Sequence, residues 1–348
     1  MANFAKRPAL LRPIFATLAG LIALLAPLPA ARADDTARFS VIEENDSILF
    51  NSDRHYTQGI RFDYLGPDLA RDSNWNGPFN LFGSFTPVFA DAPDRSRRYS
   101  VFAGQSIFTP ANLRLKPPDP HDRPYAGWAY GGVSLLQEKN RHVLENLELD
   151  LGVVGPGALG KTTQNDFHGL IGTAKATGWS NQIQHEIGGM ISYERFYRVP
   201  LIGDDTNGVD VVPQAGATLG NLMTYGDIGG MIRIGKNLGA DYGPTHVRPS
   251  LSGADYFNAD HLDGKLGFYV FFGAQGRAVG HNIFLDGNTF RQSPHVNKKI
   301  LVADLQAGAS LFWSSAMRVD VTVVQRTPEF VGQHSPDKTA SFALAFSW

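Results

Sequence analysis

The stretch LELDLGV, residues 147–153, decides the fold class of this chain. Its large apolar residues occupy every second position, with acidic or small residues between them: Leu147, Leu149, Leu151 and Val153 against Glu148, Asp150 and Gly152. A strand has one apolar and one polar face when it separates an apolar medium from a polar one. The stretch therefore predicts a β-strand at such a boundary.

The same alternation recurs at residues 266–274, 317–323 and 342–348. Many of the predicted strands exceed the usual length of about five or six residues, and roughly ten residues suit a tilted strand that crosses a membrane. An even number of strands permits a closed antiparallel ring in which every backbone N–H and C=O is paired. The pattern predicts twelve strands, near residues 39–46, 57–66, 97–108, 127–138, 142–155, 181–194, 208–219, 222–235, 265–279, 299–313, 316–328 and 339–348.

The predicted fold is all-β, a transmembrane antiparallel β-barrel of about 12 strands with a short helix in an outer loop. Long strands, 37 glycines and an alternating last strand that ends in Trp348 favour it. A soluble β-sandwich and a lipocalin-like periplasmic barrel remain alternatives, because soluble antiparallel sheets alternate as well. The net charge of −2 indicates no basic surface of the kind that binds nucleic acid.

The first 33 residues have the composition of a secretory signal peptide, and we expect cleavage after Ala33. A basic segment precedes an apolar run at residues 14–28, and a small-x-small site follows at residues 31–33. A retained membrane anchor is the alternative, but this site and the acidic residues that follow it argue against an anchor. The chain has no cysteine to which a lipid anchor could be attached. Together with the strand pattern, this predicts that residues 34–348 form one barrel domain.

The connections between the predicted strands differ in length, as in outer-membrane barrels. The short turns are expected on the periplasmic side and the long segments on the outer side. Residues 109–126 and 195–207 fit this scheme poorly, because they are long for periplasmic turns. The short turns are residues 139–140, 220–221 and 314–315, and the outer segments are residues 46–57, 67–96, 156–180, 236–264 and 329–338. Aromatic residues near strand ends are expected to form interfacial girdles: Tyr99, Trp128, Tyr130, Tyr269, Trp313 and Trp348.

Asn45 and Asp46 open a polar loop between the first two strands. One interpretation is a turn, since Asn and Asp bond their own backbone there. The other is an oxygen-rich cation site in which Asp46 binds a hard ion such as Ca²⁺. Loop carbonyls or Thr57 would complete that site.

Residues 162–173 predict a short helix in a connecting segment, with Thr162 or Thr163 as N-cap. Gln164 and His168, four residues apart, then share one face. Leu170 and Ile171 are expected to pack against the barrel rim. His168 is a candidate general base; the alternative is an ordinary surface histidine, one of ten in the chain.

Three stretches together resemble the LpxR family of outer-membrane lipid A 3′-O-deacylases. They are ENDS…DRHYTQGIRFDY from residue 44, DRPYAGWAY from residue 122 and LGVVGPGALGKTTQNDFHGLIG from residue 151. Taken by itself, the second stretch indicates only a rigid turn with an ion pair. The resemblance extends from about residue 39 to Trp348. It implies a twelve-stranded barrel in the outer membrane, expected to be a monomer, with a site between the wall and a helical outer loop. It also implies Ca²⁺-dependent removal of the 3′ acyloxyacyl group of lipid A, the membrane part of lipopolysaccharide.

The resemblance also implies roles for individual residues. His168 would be the general base that activates water, with Gln164 in the same helix. Asp46 would help to bind Ca²⁺, and Asn45 would position or polarise the ester. Thr57 matches the site threonine of the family. For its site lysine the candidates are Lys116 and Lys161, with Arg123 as a substitute.

Other functions remain open at this point. A family relative could bind lipopolysaccharide, or serve structurally, without catalysis. An outer-membrane phospholipase of the Ser-His-Asn type is possible because such triads are recognised by geometry rather than by spacing. A diffusion porin is a third alternative. The sequence has neither a G-x-S-x-G elbow nor an H-E-x-x-H zinc pair.

Overall fold

The computed structural model describes residues 37–50, 52–204, 207–247, 253–258, 262, 266–313 and 316–348. The predicted signal peptide, residues 1–33, and the predicted turn at residues 314–315 lie outside the described residues.

Twelve strands close into an antiparallel barrel, which confirms the predicted fold class. The first strand pairs with both the second and the last, and the sixth pairs with the eighth, which completes the ring. A thirteenth strand, β7, adds to β8 within the segment predicted as a plain connection. The strands are β1 (Arg38–Asn45), β2 (His55–Leu65), β3 (Arg95–Thr109), β4 (Ala126–Lys139), β5 (Val143–Val154), β6 (Glu186–Tyr197), β7 (Val199–Gly203), β8 (Asn207–Gly220), β9 (Met223–Lys236), β10 (Leu266–Asn282), β11 (Leu301–Trp313), β12 (Met317–Arg326) and β13 (Asp337–Ser347).

The described residues include four short α-helices in the connections, and no helix among these residues is long and apolar enough to cross a bilayer. The predicted helix begins two residues earlier than expected. Its N-cap is Leu159 in the left-handed conformation, and neither Thr162 nor Thr163 caps it. The helices are α1 (Ser47–Phe50), α2 (Gly77–Phe85), α3 (Gly160–Ile171) and α4 (Ile283–Asp286).

Charged side chains line the barrel interior while apolar ones face outward. Inside, the Arg61 guanidinium lies 2.7 Å from an Asp63 oxygen and 3.0 Å from a Glu148 oxygen, and all three residues are buried. Leu149 and Leu151, on either side of an inward-facing aspartate, are exposed on the outer wall. An apolar outer wall around a polar interior is the distribution that a membrane barrel requires.

The segment after β9 fills part of the interior. Residues 237–247 are buried, and the hydroxyls of Tyr242 and Tyr256 donate to the carboxylate of Glu138 at 3.0 and 2.7 Å. The Val247 amide donates to Glu44 at 3.1 Å. The sequence predicted an outer loop here. That prediction is wrong because these polar groups find their partners on inward-facing strand residues.

Because neighbouring strands of the ring run in opposite directions, successive connections lie at alternate ends of the barrel. The connections after β1, β3, β5, β8, β10 and β12 share one end, here called the site end. The segment at residues 66–94 lies at the opposite end, and so do the end of β9, from which the interior segment leaves, the start of β1 and the end of β13. The predicted placement of residues 67–96 beside residues 46–57 is therefore wrong. The short turn at residues 220–221 lies at the site end and not opposite to it.

The predicted aromatic girdle is only partly present. Trp313 and Trp348 are exposed on the outer wall. Trp128, Tyr130 and Tyr269 are buried because their strand positions face inward, where the Tyr269 hydroxyl donates to an aspartate at 2.8 Å.

Candidate functional site

Asn45 ends β1 and starts the loop that leads to β2 at the site end. Its Oδ1 accepts hydrogen bonds from the backbone amide of Ser47 at 2.7 Å and from the Ser47 hydroxyl at 2.6 Å. This is the turn geometry expected of an asparagine at a strand end. The turn begins α1 and brings the chain back toward the barrel wall.

Asp46 is buried, with 1% of its surface exposed. Its Oδ2 accepts hydrogen bonds from the Arg54 amide at 2.7 Å and the Ser52 hydroxyl at 2.9 Å, while its Oδ1 is buried and has no hydrogen-bond partner. Burial raises the pKa of Asp46 well above its usual range, and the nearby Asp53 carboxylate raises it further. An unpartnered buried carboxylate oxygen is costly unless a cation binds it.

The oxygen atoms around Asp46 suit a hard cation such as Ca²⁺, which accepts carboxylate, hydroxyl and backbone carbonyl ligands. Among the described residues no group of three or more histidines, aspartates and glutamates is arranged to hold a metal. The unpartnered Asp46 Oδ1 is the atom here to which an ion could bind, with backbone and hydroxyl oxygens as the remaining ligands.

Two glycines allow α3 to lie close to the barrel wall. A Cβ atom on Gly160 would lie 2.8 Å from the Trp179 ring and 3.3 Å from the Cα of Gly127 in β4. Larger residues at either position would push the helix away from the wall. The buried face of α3 comprises Gly160, Gln164 and His168. Leu170 is 83% exposed, so its predicted packing against the rim is wrong.

His168 is held at both ring nitrogens. Its Nδ1 lies 2.8 Å from the Ala174 carbonyl oxygen and therefore donates to it, while Nε2 lies 2.9 Å from Asp53 Oδ2. The other oxygen of Asp53 accepts from Gln164 Nε2 at 3.1 Å. The Gln164 amide is oriented in turn by Trp179 Nε1, which donates to its Oε1 at 2.8 Å. Trp179, Gln164, Asp53 and His168 thus form one chain of hydrogen bonds.

Asp53 is a site residue that the sequence interpretation did not single out, although it lies in the polar loop that follows Asp46. Burial raises the pKa of Asp53 above its usual value, although the adjacent His168 acts in the opposite direction. Because Nδ1 of His168 already donates to a carbonyl, one proton lies between Nε2 and Asp53 in this arrangement. Once that proton leaves, the pair can accept one from water.

Thr57 lies beside Asp46 through its backbone, not through its side chain. Its carbonyl oxygen accepts a 3.4 Å hydrogen bond from the Asp46 amide, and its hydroxyl lies 2.7 Å from the Thr109 hydroxyl. Thr57 is the extra residue of a β-bulge between β2 and β3. The lysine candidates Lys116 and Lys161 are exposed, and no contact of either with these site residues occurs in the described ranges.

The turn at residues 122–125 is held by contacts of Asp122 and Arg123, and its predicted ion pair has a partner outside the turn. Arg123 is fully buried and binds Glu329 at 3.1 Å. Asp122 accepts from the Ala111 amide at 2.7 Å and lies 3.3 Å from His55. Arg123 therefore connects two site-end segments and does not pair within its own turn.

Replacing Glu329 by glutamine is expected to destabilise the protein by about 3–5 kcal/mol at neutral pH, because it leaves Arg123 buried without its counter-charge. Burial acts to raise the pKa of Glu329, but Arg123 and Arg326 lower it from 4.5 to about 2. A lowered folded-state pKa gives stability that is present above the unfolded pKa and lost as the pH falls through the folded one. The difference between Glu329→Gln and wild type should therefore shrink between about pH 4.5 and 2. Thermal unfolding in detergent across this range measures it, and a constant difference would contradict the assignment.

The closed barrel, its apolar outer wall and its charged interior define an outer-membrane β-barrel protein. Residues 15–348 match the family model described as outer membrane protein LpxR. The chain therefore belongs to the LpxR family.

A solved structure of an LpxR protein shows the same fold. LpxR from Salmonella typhimurium superimposes with a TM-score of 0.68 at 19% identity, covering 89% of this chain and 99% of that one. The outer membrane channel COG4313 from Pseudomonas putida F1 gives a TM-score of 0.41 at 8% identity, covering 92% of this chain and 97% of the channel. No curated protein sequence matches significantly.

Proposed function

We propose that this protein is a lipid A 3′-O-deacylase that hydrolyses the ester of the 3′ acyloxyacyl chain in lipopolysaccharide. The observation that carries the proposal is the pair formed by buried His168 on α3 and half-buried Asp53 in the loop after β1, next to a carboxylate with an unpartnered oxygen. Membership of the LpxR family supports the choice of substrate.

His168 is the proposed general base. The hydrogen bond from Nδ1 to the Ala174 carbonyl fixes the ring, so Nε2 is the atom that takes the proton of water once the proton it shares with Asp53 has left. Water loses a proton to Nε2 as its oxygen attacks the acyl carbon. The tetrahedral intermediate then collapses, the bond to the sugar 3′ oxygen breaks, and that oxygen recovers the proton. The products are a free acyloxyacyl acid and lipid A with a 3′ hydroxyl.

Asp46 is the proposed Ca²⁺ ligand, and a bound ion there would supply positive charge to the developing oxyanion. Asn45 is proposed to position or polarise the ester from the adjacent turn. Gln164 holds Asp53 in place, since Trp179 fixes the orientation of its amide. Thr57 borders the site from the bulge in β2.

The substrate need not leave its membrane. The site is built where the loop after β1 and helix α3 meet the barrel wall, and Gln105 of β3 donates to the Ala158 carbonyl just before that helix at 2.6 Å. Further from the site end, β2 and β3 carry exposed apolar residues such as Phe62 and Val101. The acyl chains can lie against this wall while the ester reaches the rim.

Asp53→Asn is expected to lower kcat roughly ten- to hundred-fold, part of the roughly 10²–10⁴ that a general base supplies, with a smaller effect on KM. The reason is that asparagine cannot accept the proton shared with His168. Its side chain also has only one acceptor oxygen, so its NH₂ group would face either His168 or the NH₂ group of Gln164. Asp53→Glu should recover part of the rate. Deacylation rates in detergent micelles measure this, and an unchanged kcat would remove Asp53 from the mechanism.

Incubation of the purified protein with lipid A and, separately, with glycerophospholipids tests the proposal by product mass. Loss of one acyloxyacyl group from lipid A alone supports it. Fatty acid release from glycerophospholipid, blocked by serine-directed reagents, would establish the phospholipase instead. Binding without any product would establish the non-catalytic relative. Rapid swelling of protein-containing liposomes would indicate a porin, which the segment inside the barrel disfavours.

A further inference from the structure

Residues 74–85 present a large apolar surface outside the barrel, at the end opposite to the site. A short 3-10 turn, Asn74–Asn76, leads into α2. Trp75, Leu81 and Phe85 are 68%, 62% and 65% exposed. Leu81 and Phe85 are four residues apart and share one helix face. Leu81 and Phe85 therefore form one exposed apolar face, and exposed Trp75 packs beside it against the Tyr99 ring of the wall, with the centroids 5.8 Å apart.

Polar contacts fix the other side of this segment to the barrel. The buried guanidinium of Arg97 in β3 donates to Asn76 Oδ1 at 3.1 Å, to Asn80 Oδ1 at 2.8 Å and to the Phe89 carbonyl at 3.3 Å. The Phe79 ring packs against Tyr99 with the centroids 5.4 Å apart. The polar side of α2 is thus turned inward, and its exposed face has a fixed direction.

The exposed face continues the lipid-facing wall. The segment covers the outward residues Tyr99, Leu135 and Leu147, which are cross-strand neighbours on β3, β4 and β5. The next outward residues toward the site end are Val101, Val133 and Leu149, and all three are exposed on the wall. Residues 74–85 therefore cover the outer wall next to the row of residues that lipid covers on the same strands.

We propose that residues 74–85 form an interfacial anchor that binds the phospholipids of the leaflet at the end opposite to the site. Helix α2 carries no charged residue, which suits insertion at the boundary between headgroups and acyl chains. Such segments typically insert their apolar face about 5–10 Å deep. Trp75 is suited to this depth because its ring is apolar and its N–H can reach the headgroups.

Fluorescence quenching of Trp75 in nanodiscs tests the anchor. The variant Trp313→Phe/Trp348→Phe removes the exposed tryptophans of the outer wall, and the remaining Trp128 and Trp179 are shielded because they are buried. A second protein carries Trp75→Phe in addition to these two substitutions. Subtracting its emission from that of the double variant gives the emission of Trp75 alone. Nanodiscs are prepared with phosphatidylcholine that is brominated near the headgroup or not brominated, and iodide serves as the aqueous quencher.

We expect most of the Trp75 emission to be lost in brominated lipid and to be preserved in iodide. Quenching by iodide without quenching by bromine would place the segment in water and overturn the proposal. Protection from both quenchers would mean that a second copy of the chain covers the surface, which also overturns it. Leu81→Lys/Phe85→Lys provides a second measurement, in which the bromine quenching of Trp75 should decrease.

Discussion

His168→Ala is expected to reduce the rate of lipid A deacylation by about 10²–10⁴-fold, the usual contribution of a positioned general base. The ring of His168 is buried, and it is held by Ala174 on one nitrogen and Asp53 on the other. Alanine removes the proton acceptor and should leave the helix in place, since the close approach of Gly160 to Gly127 and the hydrogen bond from Trp179 to Gln164 remain. Steady-state rates with purified variants in detergent measure the effect.

His121→Ala is the matched control for this experiment, because His121 is an exposed histidine on another site-end connection. It should deacylate at the wild-type rate. Retention of more than a tenth of the wild-type rate by His168→Ala would contradict the role of His168 as general base, even if the protein is a deacylase.

Asp46→Asn is expected to lower the rate by roughly 10²–10³-fold, because stabilisation of the oxyanion contributes on that order. Asparagine keeps the shape of the side chain but removes the charge that would bind Ca²⁺ at the unpartnered Oδ1. Wild type should lose activity in EGTA and regain it as free Ca²⁺ rises. The variant should need far more Ca²⁺ or fail to respond.

Asp166→Asn serves as the control for charge, since Asp166 lies on the exposed face of α3. Its Ca²⁺ titration should overlay that of wild type. Thermal unfolding of Asp46→Asn without Ca²⁺ should show no loss of stability, because the substitution removes a buried charge. A normal Ca²⁺ response in Asp46→Asn would move the ion site elsewhere.

The twelve ring strands could be predicted from the sequence because each must face lipid on one side and the charged interior on the other. In β10 this requirement fixes Phe268, Val270 and Phe272 as outward residues, and all three are exposed. Helix α3 was predicted from the run at residues 162–173, and the structure places Gln164 and His168 on its buried face as that helix implies, although Leu159 and not a threonine is the N-cap.

The sequence could not predict where the long connections go. Residues 237–247 have a loop-like composition, and contacts between residues far apart in sequence draw them into the barrel, such as that of Tyr242 with Glu138 across 104 positions and that of Val247 with Glu44. Asp53 was missed for the same reason, because its importance comes from Gln164 and His168 on a distant helix. The partner of Arg123 was likewise a residue near the other end of the chain.

The most direct test of the central proposal is mass spectrometry of lipid A and of the released acid after incubation in water enriched in heavy oxygen. Wild-type protein with Ca²⁺ should remove one acyloxyacyl group and place the heavy oxygen in the released carboxylic acid. The same reaction should be absent in EGTA and in His168→Ala. Intact lipid A under every condition would contradict the deacylase proposal, and label found on the sugar hydroxyl would contradict attack of water at the acyl carbon.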